Sequence, residues 1–123
     1  EQALDLGLQF ASERKQFGVI IAQKQAIQNY LADAKLKIEA LRHLVEHAAW
    51  LADQGKPYAF EATMAKLYGG QAIYETANTM IQVHGGYGYI VDYPISRLYR
   101  DARAMSIIGG SSEIQRMLVA RHV

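Results

Sequence analysis

Between Gln25 and Ala52 the apolar residues fall at Ile27, Leu31, Ala34, Ile38, Leu41, Val45 and Ala48. Steps of four and three residues keep one face of an α-helix apolar, so this stretch predicts a long helix packed lengthwise on its neighbours. Gln54-Gly55-Lys56-Pro57 should end it: Gly suits a left-handed cap and Pro the first turn of the next helix, which predicts an antiparallel helix pair. The partner helix is expected from about Tyr58 to Val83. It carries a large apolar stripe (Phe60, Met64, Leu67, Tyr74, Ile81) and a small-residue stripe (Ala65, Gly69, Ala72) that permits close helix contact.

The flanks obey the same logic. The first fourteen residues read as helix from the outset, with Leu4, Leu8 and Ala11 on one face. No Ser, Thr, Asp or Asn precedes them as a cap, so the sequence reads as a piece of a longer chain. KQFGVIIAQ, with Gly18 and a β-branched run, breaks the rhythm and predicts a short loop. Gly85-Gly86-Tyr87-Gly88-Tyr89 stops the second long helix, and Asp92-Tyr93-Pro94 restarts a shorter one through Arg103. Gly109-Gly110 precedes a last helix. Ser112 is its expected N-cap, Gln115 completes a capping box, and Ile114, Leu118 and Val119 should enter the core. The whole predicts one all-α domain over residues 1–123, an antiparallel up-and-down bundle of four to five helices.

Composition narrows the functions available. Thirteen basic residues against twelve acidic ones leave a formal charge of +1, too weak a field to hold a nucleic-acid backbone or an anionic membrane. No apolar run approaches the roughly 20 residues of a membrane helix, and no signal-peptide pattern opens the sequence. The absence of Cys removes disulfides and thiolate metal sites, which fits a cytoplasmic protein, or one of the mitochondrial matrix in a eukaryote.

His43 and His47 lie one helical turn apart with Glu39 and Glu46 nearby. A di-iron bundle would need Glu-x-x-His on two helices, so the pair reads as a solvated polar face and no metal is expected. Nucleophilic hydrolysis is set aside too, since there is no Cys and no G-x-S-x-G. Two Gly-rich turns remain, GGYGY and IIGGSSEIQ. A single such turn is more often a helix stop than a ligand site, and spacing alone leaves both readings open. The second has physics in its favour, because Gly110, Ser111 and Ser112 place bare N–H groups and hydroxyls at a helix N-terminus, which favours an anion.

Three blocks taken together carry more. ERKQFG (Glu13 to Gly18), IQVHGGYGY with DYPISRLYRDAR (Ile81 to Arg103), and GGSSEIQRMLVARHV (Gly109 to Val123) resemble, in order and spacing, the C-terminal domain of the acyl-CoA dehydrogenases. The resemblance covers essentially the whole chain, KQAIQNYLAD and AAWLADQGK included. It implies the third domain of a three-domain flavoprotein that forms homotetramers, as dimers of dimers, with FAD between subunits. Carried over by position, Arg14, Gln16 and Phe17, with Gln25, match residues that grip the pyrophosphate and adenosine half of FAD in a neighbouring subunit. Arg14 suits this physically, as a planar and permanently charged fork. Gln82, Gly85 and Gly86 match the segment lying against that dinucleotide, while Ser111 and Glu113 match positions holding the FAD of their own subunit. His84 is read as a packing residue.

One departure bears on mechanism. Many members of the family read Tyr-Glu-Gly-Thr in the last motif, and that Glu removes the α-proton of the acyl-CoA. Here Gly109 occupies the Glu position and offers no titratable group, so no catalytic residue is expected in this chain. In this it resembles the isovaleryl-CoA and long-chain branches, whose base is a Glu on the preceding helix; that position would lie upstream of Glu1. The resemblance further implies an acyl-CoA substrate and an electron-transfer acceptor protein. Two other readings stand beside it: a non-catalytic flavin- or acyl-CoA-binding scaffold of the same fold, and a plain helical interaction module.

Overall fold

The computed structural model describes residues 1–123. In chain order it comprises α1 (Gln2–Glu13), β1 (Lys15–Gln16), β2 (Val19–Ile20), a 3-10 turn (Ile21–Gln23), α2 (Gln25–Asp53), α3 (Ala59–His84), the single turn α4 (Gly86–Tyr89), α5 (Pro94–Ala104) and α6 (Ser112–Ala120). The expected all-α bundle is present. The only sheet is a two-stranded hairpin, with Lys15 opposite Ile20 and Gln16 opposite Val19, where the sequence predicted a short loop. No helix is long and apolar enough to cross a membrane.

α3 is the centre of the molecule, and all five other helices pack on it. Its small residues explain why. A Cβ at Gly69 would sit 3.1 Å from Leu41 of α2, and one at Gly70 would sit 3.3 Å from the Met105 carbonyl oxygen and from Ser106 Cα. Close backbone approach is thus built into two faces of one helix. The buried residues of α3 are accordingly Ala65, Gly69, Gly70, Ala72, Thr76, Ala77, Met80, Val83 and His84, and the predicted large stripe is only half-buried. Leu4, Ala11, Ile21, Ala34, Met80, Val83 and Ile95 form the core, with Met80 and Ile95 fully enclosed. The α2–α3 connection is a Schellman cap: Gly55 has φ +64, and the N–H groups of Gly55 and Lys56 donate to Ala52 and Leu51.

Further details differ from the sequence expectation. Leu8 is 42% exposed, because the covered face of α1 is Leu4, Gly7 and Ala11, where Met80 presses against the bare Gly7. Ile114 is 47% exposed, and Gln115 takes the inward position on α6. The N-cap of α6 is Ser111, one residue before the expected Ser112, and no capping box forms. Instead the Ser112 hydroxyl donates to the Ser106 carbonyl and Gln115 Nε2 to the Gly109 carbonyl, both at 3.4 Å. These side chains hold the preceding turn rather than the helix end.

α2 extends well past the start of α1. Between α2, α3 and α5 lies an apolar groove of about 660 Å³, with Leu41, Val45, Ile73 and Leu98 among its walls and Glu1 to Ala3 at one end. Val45, predicted as core, is half exposed there.

Candidate functional site

Arg14 ends α1 in an extended conformation, and its carbonyl accepts from the Ile21 N–H, closing the hairpin against the helix. The hairpin turns on Phe17 and Gly18, with φ +54 and +80. Positive φ at both central residues is the type I′ geometry that fits a right-twisted hairpin, and Phe is an uncommon occupant of it. The Phe17 ring stands 96% exposed at the tip, 4.8 Å from Lys24 Nζ. Across from the hairpin, α3 ends at Gly85, whose φ of +60 and ψ of −138 suit only glycine. Nothing lies within 4 Å of a Cβ built on Gly85 or Gly86, so this backbone is open to a ligand.

Between these elements lies a cavity of about 540 Å³. Its polar wall is Arg14, Gln16, Lys24 and Gln82, its backbone wall is Gly85-Gly86, and its aromatic wall includes Phe10 and Tyr87. No Asp or Glu lines it, and neither Arg14 nor Lys24 has a carboxylate partner. The Arg14 guanidinium sits 5.3 Å from the Tyr87 ring centroid. His84 is buried beneath, donating from Nδ1 to the Met80 carbonyl at 2.7 Å and stacking on Phe10 at 4.5 Å. It packs the floor of the cavity, as its sequence reading expected. Two cations without counter-charges, beside bare backbone and flat rings, suit an anionic ligand with a planar part.

A second group lies at the other end of α3. Ser111 is the N-cap residue of α6, without a side-chain bond to the helix end. The Glu113 carboxyl is held below the usual range first by its own backbone N–H, then by Ser111, with Arg116 and Arg103 adding attraction. Gly109, at φ +64, faces open space with only Lys66 Cε nearby, 3.6 Å from a built Cβ. Lys66 and Gln82 are sixteen residues apart on α3, roughly 24 Å of helix, so the two groups do not form one compact site.

The whole chain, residues 1–123, matches the family described as acyl-CoA dehydrogenase, C-terminal domain. The chain belongs to that family. It is 47% identical to the acryloyl-CoA reductase (NADH) of Anaerotignum propionicum over 123 residues, all of this chain and 31% of that protein. Among solved structures it superposes with a TM-score of 0.95 on butyryl-CoA dehydrogenase from Megasphaera elsdenii, at 36% identity, covering 98% of this chain and 31% of that one. The same score is reached at 42% identity on a chain from work on the electron transferring flavoprotein of Acidaminococcus fermentans, covering 98% of this chain and 32% of that one. The chain thus spans about a third of the relatives it matches.

Of the residues singled out in the sequence, Arg14, Gln16, Gln82, Gly85 and Gly86 meet in one cavity. Phe17 stands outside it at the hairpin tip, and Gln25 is exposed at the first turn of α2 beside Lys24. Ser111 and Glu113 belong to the distant group. Sequence reading missed Lys24, Phe10 and Tyr87. Lys24 carries no periodic signal, and only the 3-10 turn brings it over the hairpin. The His43–His47 face is solvated: His43 Nδ1 lies 3.5 Å from Glu46, His47 stacks on Trp50, and no group of three metal-ligating side chains converges anywhere.

Proposed function

We propose that this chain is the C-terminal helical domain of an FAD-dependent acyl-CoA dehydrogenase, an enzyme of α,β-dehydrogenation of acyl-CoA thioesters. Here it binds cofactor and forms subunit interfaces. The reading rests on the cavity with two unpaired cations and no carboxylate, faced by the open Gly85-Gly86 backbone. A dinucleotide pyrophosphate needs fixed positive charge and backbone that can come close, and both are present. Arg14 offers its fork to phosphate oxygens, Gln16 and Gln82 add amide donors, and Phe17 and Gln25 flank the adenosine half. Together with Gly85 and Gly86 they serve the FAD of a neighbouring subunit. Ser111 and Glu113 serve the FAD of their own subunit. The length of α3 separating the two groups supports this division, since one protomer can then touch two cofactors, its own and a neighbour's; the assembly in this reading is a homotetramer of paired dimers.

When bound, the flavin supplies the hydride acceptor. This chain supplies binding and orientation and no base, because Gly109 has no titratable group. The proton acceptor is a carboxylate from a segment before Glu1, as in the branches of the family with a displaced base. The names of the relatives favour a CoA thioester as substrate and an electron-transferring flavoprotein as acceptor. The absence of a base at Gly109 also fits a second reading, a flavin-binding scaffold without turnover.

One experiment separates them. The full-length polypeptide is purified, its visible spectrum recorded, and straight and branched acyl-CoA thioesters are added without oxygen. Bound flavin bleached by at least one thioester is expected. Bound flavin that none of them bleaches favours the scaffold, and a colourless protein that takes up no FAD overturns both.

A further inference from the structure

Lys66 lies on α3 and reaches out of its own helix. Its Nζ donates to the carbonyl of Met105, 2.6 Å away and 39 residues on. Met105 is the C-cap of α5, where unsatisfied carbonyls and the negative end of the helix dipole favour a cation. One turn along α3, Gly70 lets the backbone of Met105 and Ser106 come within 3.3 Å of where a Cβ would stand. The stem of Lys66 then runs beside Gly109, with Cε 3.6 Å from a built Cβ. Lys66 has no carboxylate partner. Further ties complete the frame: Ser112 to the Ser106 carbonyl and Gln115 to the Gly109 carbonyl, both from α6, and Arg103 of α5 to the Ser106 hydroxyl. Of the side chains holding this turn, Lys66 alone comes from the central helix.

We infer that Lys66 is a positioning residue for the dehydrogenation proposed above: by fixing the α5–α6 turn against α3 it sets where Gly109 stands relative to the reacting centre. The inference rests on that functional reading. A side chain at position 109 cannot hold the reacting groups in place here, so the backbone of the turn must be held from outside, and α3 is the rigid element next to it. Misplacement of a site by about 1 Å can cost as much as 100-fold in rate. Loss of one anchor among several should cost less.

The test uses the full-length flavoprotein with Lys66→Met, Lys66→Arg and Gly70→Ala. Rates of flavin reduction are expressed per bound flavin, beside flavin content and thermal midpoint. Lys66→Met is expected to keep flavin, lower kcat by about tenfold and move KM by less than about threefold. Lys66→Arg, which can still donate to the Met105 carbonyl, should recover most of the rate. Gly70→Ala presses on the same turn without touching the charge and should lower kcat in the same direction, which keeps the inference testable if Lys66→Met does not fold. An unchanged per-flavin rate in Lys66→Met, or in Gly70→Ala if the former is not obtained, overturns the inference and leaves the functional reading intact. An unsubstituted protein whose flavin no thioester reduces overturns both.

Discussion

Gly109→Glu places a carboxylate where the commoner branch of the family keeps its base, and the structure sets its cost. Gly109 has φ +64, and a residue with a Cβ pays roughly 1–2 kcal/mol in that region. Steric crowding adds little, because a built Cβ meets only Lys66 Cε at the ordinary contact distance of 3.6 Å. The new carboxylate comes within reach of the Lys66 ammonium, and such a pair at the surface returns about 0–1 kcal/mol. The net loss is then about 1 kcal/mol, or about 3–6 °C in Tm for a chain of this size. Gly109→Ala, with the strain and no charge, should lose slightly more. Thermal unfolding of both variants, with and without Lys66→Met, measures these differences, and the advantage of Glu over Ala should vanish once Lys66 is gone. If Gly109→Ala unfolds at the same temperature as the unsubstituted protein, the left-handed turn is not what glycine is there for, and the reasoning fails. In a full-length protein whose upstream base has been changed to Gln, Gly109→Glu should restore part of the flavin reduction. Only part is expected, since a general base must lie about 3 Å from its proton and the strained turn need not place it there.

Arg14→Ala in the full-length protein should weaken FAD retention by about tenfold or more, through lost charge-assisted contacts worth roughly 1.5–3 kcal/mol each, with the far-ultraviolet dichroism unchanged; equal retention in a dialysis assay would remove Arg14 from the site. Gly7→Ala drives a Cβ to 2.2 Å from Met80 Sδ, so denaturant unfolding should show a loss of about 1–3 kcal/mol from overpacking, and no loss would mean that Met80 has room to move. The 123-residue chain by itself exposes the apolar groove between α2, α3 and α5 and should associate with rising concentration; scattering that reports a strict monomer throughout would count against it. Glu75 has its pKa lowered chiefly by the hydrogen bond from Lys37, 2.7 Å away, and then by Gln71. A carboxyl depressed in the folded state stabilises above its ordinary value of 4.5 and loses that contribution as pH falls through its folded value. Lys37→Met should therefore raise the Glu75 titration midpoint seen by NMR and flatten the acid limb of stability.

The helices themselves were legible in the residues. A period of 3.6 is a local property, and the spacing of Ile27 through Ala48 with the stop at Gly55 marks α2 as Gln25 to Ala52, one residue short of its observed end. Gly55 and Pro94 act through their own backbone, so the Schellman cap and the start of α5 also lay open to reading. The grouping of Arg14 with Gln82, Gly85 and Gly86 came from family resemblance, because no local rule links residues so far apart in the chain. What the tertiary structure alone decided is which surfaces meet. Leu8 and Ile114 satisfy the periodicity yet face outward, since coverage depends on what packs alongside: Met80 of α3 presses on Gly7, and Gln115 turns in against Gly109 and Gly110. Lys24 enters the cavity only because the 3-10 turn brings it over the hairpin. Lys66 finds its partner on another helix, at a carbonyl that carries no side-chain signature in the sequence. Periodicity and caps are written one turn at a time, whereas a cavity or a long-range anchor exists only once distant turns are packed together.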